Sequence, residues 1–309
     1  MLEERTVREP PASPGGSSGG RTASTGLVRR LDRLQRRYRI IGFGWAVIKK
    51  YGDDGAGAQA ALIAYYGFFS LFPLLLLLAT LLGWLLGGNP EFQQRILNSA
   101  IAKFPIIGTS LHQNVHVLTG NGVAMAVGVV GSLWGGLRVA QAAQNAMNTI
   151  WNVPRRDWPT FTSRRLRALA VVALVGAGLV MSTVLPGLAR PIVGNGRSGQ
   201  IVALTLSSLV YLVVIVVAFE VLTVTELHWR DVIAGAVVAT AGWDLLQALG
   251  GWFLTHALQR ASVVYGFFAL VIGLLTWIAL NAAVMLFAAE INVVRHRRLW
   301  PRPIIPRGR

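Results

Sequence analysis

Six runs of apolar residues, at about 60–86, 122–150, 166–188, 201–224, 232–254 and 264–291, constrain this chain more than any other feature. Each exceeds the roughly 18 residues that mark a candidate membrane helix, and at ~1.5 Å per residue each can cross a hydrocarbon core of ~30 Å. Inside hydrocarbon a backbone amide must find its partner within its own segment, so the runs read as helices. The alternation of an outer-membrane barrel is absent. The expected fold class is all-α: a polytopic membrane protein built as a bundle of six transmembrane helices. Composition agrees, because only 14% of residues are charged against roughly 25% in a soluble domain.

A net charge of +16 raises the question of a nucleic-acid partner, and the placement of the charges answers it. With both termini inside, 23 of the 29 Lys and Arg fall on the inner side, 5 fall outside, and Arg138 lies within a span. By the positive-inside rule this predicts a multi-pass protein of the bacterial plasma (inner) membrane with cytoplasmic N- and C-termini. The basic charge is accounted for without nucleic acid. The chain has no cysteine, which excludes disulfides, a thiolate nucleophile and a zinc–thiolate site.

Residues 1–26, with PPASPGGSSGG, carry too little apolar surface to offset the entropy of ordering and read as a disordered tail. No apolar segment follows closely enough for a signal peptide. Residues 27–59 form a basic amphipathic segment, with Leu31, Leu34, Tyr38 and Ile41 at helical spacing among arginines. It is expected to lie on the anionic cytoplasmic face of the bilayer, a solvated basic helix being the alternative. Residues 60–291 are the membrane domain, and 292–309 a basic cytoplasmic tail. In the outside loop 87–121, Phe92, Ile96, Ala100 and Phe104 recur every four residues, which predicts a second amphipathic helix. No internal repeat is visible, so the inverted symmetry of many transporters has no support.

The second span is unusually polar. At 100° per residue, Trp134, Arg138, Gln141, Asn145 and Asn148 share one narrow sector. A charge at mid-bilayer costs at least ~2.5 kcal/mol on insertion scales, so this stripe is expected to face the bundle interior or water. Glu220, Asp244 and Glu290 are the acids available to balance Arg138. Tyr65, Tyr66 and Ser70 lie in the inner half of the first span beside Pro73. Together these ten residues outline a candidate polar cavity opening inward. The plainer reading is that the amides are interhelical glue and that an ion pair fixes helix register. Gly83 with Gly87, and Gly131 with Gly135, are small-xxx-small pairs suited to close packing. His112 and His116 in HQNVH lack the glutamate of HExxH and a third ligand, so no metal site is assigned. ELHWRD, residues 226–231, reads as a tight charged turn capping a helix, and His228 and His256 sit near span ends.

AYYGFFSLFPLLL in the first span, SLWGGLRVAQAAQNAMNTIW in the second and VVYGFFALVIGLLTWIALNAAVMLFAAEIN in the last resemble the YihY/virulence factor BrkB family. The likeness covers roughly residues 40–295. AAEIN stands where GAELN is more typical, and Gly67 where a larger residue is common. The resemblance implies a bacterial inner-membrane protein with six spans, and it implies no agreed activity; the label ribonuclease BN once attached to members is regarded as mistaken.

Two functional expectations follow. One is a carrier or flippase-like protein for an anionic amphipathic or lipid-derived substrate that enters the polar cavity. No GxxxxGK[ST] loop is present, so transport would be passive, ion-coupled or driven by a partner. The other is a non-catalytic membrane protein that supports the envelope by binding anionic lipids or partners. RNA hydrolysis needs positioned metal ligands or an acid–base pair at an accessible face, and the soluble segments hold no acid cluster. No catalytic residue and no cofactor are assigned.

Overall fold

A computed structural model describes residues 39–85, 122–194, 196–225, 227–253 and 259–300. The expected tail 1–26, the first part of the basic segment, the outside-loop helix with His112 and His116, Gly87, His256 and the end of the C-terminal tail lie outside these residues. Within them every regular element is helical: α1 (Arg39–Asp53), α2 (Ala56–Leu85), α3 (Gly122–Ile150), a 3₁₀ turn (Arg155–Asp157), α4 (Phe161–Val193), α5 (Arg197–Leu222), α6 (Trp229–Phe253) and α7 (Gln259–His296). Residues 47–299 form one compact unit. In the described part of a second unit, Phe43 meets Trp300 edge to face at 5.4 Å.

Among the described residues, α2, α4, α5, α6 and α7 contain stretches long and apolar enough to cross a membrane. The 29-residue α3 is as long but is not in that set; it carries Arg138 and four side-chain amides. Five of the six expected spans are therefore met by length and composition. The helices also overrun the apolar runs: α4 begins at Phe161 rather than 166, and α7 continues to His296. Hydrogen-bond propagation carries a helix past its apolar stretch until a cap stops it.

Those stops are legible. Gly55, at φ +64°, makes the left-handed turn between α1 and α2, where its carbonyl accepts from the N–H groups of Ala58 and Gln59. At the end of α3, Asn152 takes φ +52°, its N–H donates to Thr149 O at 2.9 Å, and Val153 N–H donates to Asn148 O at 2.8 Å. This is a Schellman closure, with asparagine tolerating the left-handed position. Arg298 closes α7 in the same way through Leu299. In the turn before α6, Asp231 accepts a hydrogen bond from the His228 backbone N–H at 3.2 Å, so the charged turn is a helix cap.

Packing runs α3–α2–α7–α6–α5–α4 and back to α3, so the six long helices close into a ring. Glycines set two of its contacts. Gly128, Gly131 and Gly135 line the face of α3 against Leu77, Pro73 and Ser70 of α2, and a Cβ on Gly131 would stand 2.6 Å from Pro73 Cβ. On α6, Gly235 packs against the Ala288 carbonyl and Asn292 of α7, leaving no room for a side chain. Close approach of backbones through small residues is how helices gain dispersion contact when lipid removes the hydrophobic difference between inside and outside. The outward faces stay apolar, with Val130, Ile201, Leu204 and Phe268 exposed, as suits a hydrocarbon solvent.

Candidate functional site: an apolar cavity and a buried ion pair

The ring holds a partly open cavity of about 260 Å³, and all six long helices contribute to its wall. Ile63 comes from α2, Met147 from α3, Val175 from α4, Phe219 from α5, Trp243 from α6 and Met285 from α7. No polar atom faces this space. None of the ten residues expected to outline a polar cavity lines it.

One turn beyond the cavity, toward the end of the ring where α3 and α7 terminate, lies a compact charged cluster. Glu290 follows cavity-lining Leu286 by four residues on α7. Its carboxylate stands 3.1 Å from Lys50 Nζ of α1, with the two side chains 0% and 1% exposed. Lys50 also donates to Ile150 O at 2.7 Å and pairs with Asp54 in the α1–α2 turn. The arrangement follows from the end of α3. A helix leaves its last carbonyls without partners and carries partial negative charge there. Ile150 O is taken by Lys50, and Trp151 O by the guanidinium of Arg297. Trp151 itself is buried, its ring 5.7 Å from that of His296, which in turn pairs with Asp231 at 3.0 Å. The amide of Asn292 accepts from Gly235 N–H at 2.6 Å, tying α6 to α7 beside the cluster.

Lys50 is the residue the sequence reading missed. Its sequence context is the basic interfacial segment, yet it is buried, because an opposite charge and a helix terminus await it. The available signal was local: Val47, Lys50 and Asp54 share one helical face. Tyr51 next to it has its phenol pushed above the usual range, by burial first and by the negative charge of Glu290 second.

The polar stripe of α3 divides. Arg138 does not turn inward and meets none of the three acids among the described residues. It is exposed and lies over the Trp134 ring at 5.4 Å, continuing the outward-facing series Val123, Val127, Val130 and Trp134. The amides below are covered, because the start of α4 and the α5–α6 turn close over that end of the helix. Asn145 accepts from Arg164 at 2.8 Å, Gln144 donates to Arg164 O at 3.2 Å, and Asn148 accepts from Val224 N–H at 3.2 Å. They are interhelical locks. Gln141 is half-buried on the same helix. Glu220 is half-buried on α5, away from Arg138 in its pairing. Asp244 is exposed on α6 and accepts a hydrogen bond from Ser208 of α5 at 2.7 Å. Tyr65 is exposed and meets Tyr66 edge to face and Phe69 at a tilt, while Ser70 donates to Gly67 O at 2.8 Å within its own helix. Of the ten, only Glu290 stands in a buried charge pair.

A ring of long apolar helices around an apolar cavity, with a buried charged cluster toward one end, defines a polytopic helical membrane protein. More specifically, the chain belongs to the virulence factor BrkB family, whose model matches residues 47–304. It is 25% identical over 265 residues to a ribonuclease-like protein, YfkH, of Bacillus subtilis, an alignment covering 82% of this chain and 94% of that one. A UPF0761 membrane protein of Alteromonas mediterranea is 23% identical over 278 residues, covering 85% and 92% of the two chains. No solved structure matches.

Proposed function

We propose that this protein handles a lipid-derived molecule of the membrane, holding its hydrocarbon part in the ring's cavity. The observation that carries the reading is the 260 Å³ space walled by apolar atoms of all six long helices. An apolar cavity of about 150 Å³ stays free of water and takes up benzene, so a larger one of the same chemistry suits a hydrocarbon segment. The buried Lys50–Glu290 pair lies one turn beyond Leu286 of the cavity wall, so access through the seams between helices fits this arrangement best. Carriage of the molecule across the bilayer is the fuller form of this reading.

A static lipid-binding role in the envelope is the second reading. It is favoured by the α3 amides, which are engaged in locks between helices and line no pathway. Neither reading assigns an enzymatic step; the ribonuclease-like name belongs to the Bacillus subtilis relative. The reading places the protein in the bacterial inner membrane with the ring end that carries Arg155, Arg164, Arg230 and Arg297 in the cytoplasm, and the positive-inside rule supports that orientation.

Native mass spectrometry of the purified protein tests binding. Wild-type protein is expected to retain a hydrocarbon-bearing adduct. Ala282→Phe, which fills the cavity, is expected to lose it, while Val184→Phe on the exposed face of α4 keeps it. Equal adducts in all three defeat the lipid reading. Reconstitution with labelled lipid then separates the two forms: transfer between leaflets that Ala282→Phe abolishes marks a carrier, and retention without transfer marks a static binder.

A further inference from the structure

Two opposite charges face outward on different sides of the ring. Arg138 on α3 and Asp244 on α6 are both exposed, and among the described residues Arg138 meets no acid and Asp244 no base. Their depth matches. Trp151 and Asp231 both touch His296, so they stand at the same level at one end of the bundle. Arg138 lies thirteen residues before Trp151 and Asp244 thirteen after Asp231, which puts both about 20 Å along their helices from that level. Each sits in an apolar exposed strip: Val127, Val130 and Trp134 on α3, and Val237, Ala241, Leu245 and Ala248 on α6. α3 packs chiefly against α2 and α4, and α6 chiefly against α5 and α7, so the outer surfaces of the two helices lie on different sides of the ring.

We propose that Arg138 of one copy pairs with Asp244 of the next within the membrane, joining copies of this chain head to tail. Ionisable groups at this depth are costly toward lipid and settle against a partner of opposite sign. One copy cannot satisfy both of its own charges, because they are on different faces. A second copy satisfies one, and a closed ring of copies satisfies all of them, which is the geometry of a heterologous interface. The proposal stands whatever the central cavity binds.

The absence of cysteine gives a clean test in native membranes. Differently tagged Arg138→Cys and Asp244→Cys chains are co-expressed and oxidised. A disulfide between 138 and 244 of different chains is expected, with none between two 138 positions or two 244 positions. A flanking pair, Trp134→Cys with Leu245→Cys, leaves both charges in place and is expected to cross-link as well. Arg138→Glu and Asp244→Arg in that flanking background are each expected to lose the cross-link, and the chain carrying both exchanges to recover it. Folded chains that form neither cross-link, or that form 138–138 links, overturn the proposal, as does failure of the double exchange to recover. Monomeric protein that sheds bound anionic lipid on Arg138→Gln overturns it too, because a lipid phosphate is then the partner of Arg138.

Discussion

Lys50 is buried where three oxygen groups meet it: the Glu290 carboxylate, the Asp54 carboxylate and the Ile150 carbonyl. Removing one member of a buried pair strands the other without water, which typically costs about 3–5 kcal/mol, whereas replacing both by apolar groups is often nearly neutral. Lys50→Met is therefore expected to lower thermal stability sharply, and Lys50→Met with Glu290→Met to recover much of the loss, read by scanning fluorimetry in detergent. A double variant as unstable as the single one would show that the pair is not the source of the effect. Tyr51 adds a pH dependence. Its phenol titrates above the ordinary value of 10.0 in the folded protein, so it stays neutral where the unfolded chain has begun to ionise. Its contribution is complete below about pH 10 and is lost as pH rises through the folded value. The melting temperature of Tyr51→Phe is expected to fall less steeply above that pH than the wild type's.

At the scale of the element, close helix contacts rest on particular glycines and amides. A Cβ on Gly235 would strike the Ala288 carbonyl, a backbone atom that cannot swing away. Gly235→Ala is expected to destabilise by about 1–3 kcal/mol. Gly176 in α4 has nothing within 4 Å of a Cβ, so Gly176→Ala is expected to stabilise by up to about 1 kcal/mol through helix propensity. A reversed order of the two melting temperatures would refute this account of α6–α7 packing. Asn148→Ala removes the acceptor of Val224 N–H at the turn into α6, leaving a donor short of its partner at about 1–3 kcal/mol. Amide hydrogen exchange is expected to quicken around residues 222–225 while the middle of α5 stays protected.

For the whole molecule the ring is the organising feature. Among the described residues it has an apolar cavity, a charged cluster toward one end, and apolar outer faces interrupted by Arg138 and Asp244. Filling the interior is the test that separates an incidental packing gap from a used one. Ala143→Leu adds apolar volume to the cavity wall and is expected to raise the melting temperature while lowering lipid retention. If the variant retains lipid as the wild type does, the cavity is not where the lipid sits.

Much of this was legible residue by residue in the sequence. Membrane insertion responds to the length and apolarity of each segment separately, so the helical class and five of the spans follow from local composition. The glycines of α3 were readable as packing residues for a similar reason, since small size at a helical spacing is itself the property used. Periodicity places Arg138 and the amides on one sector of α3, but it does not say what covers that sector. Coverage changes along the helix: Arg138 is exposed, whereas the start of α4 covers Asn145. Lys50 was misplaced because its partners, Glu290 and the end of α3, are remote in sequence, and only the closing of the ring brings them within 3.1 Å. The apolar solvent of this chain is written in its local side chains, because transfer to lipid is a sum over them. Which charges are buried and which face outward is set only on folding, because it depends on neighbours that folding supplies.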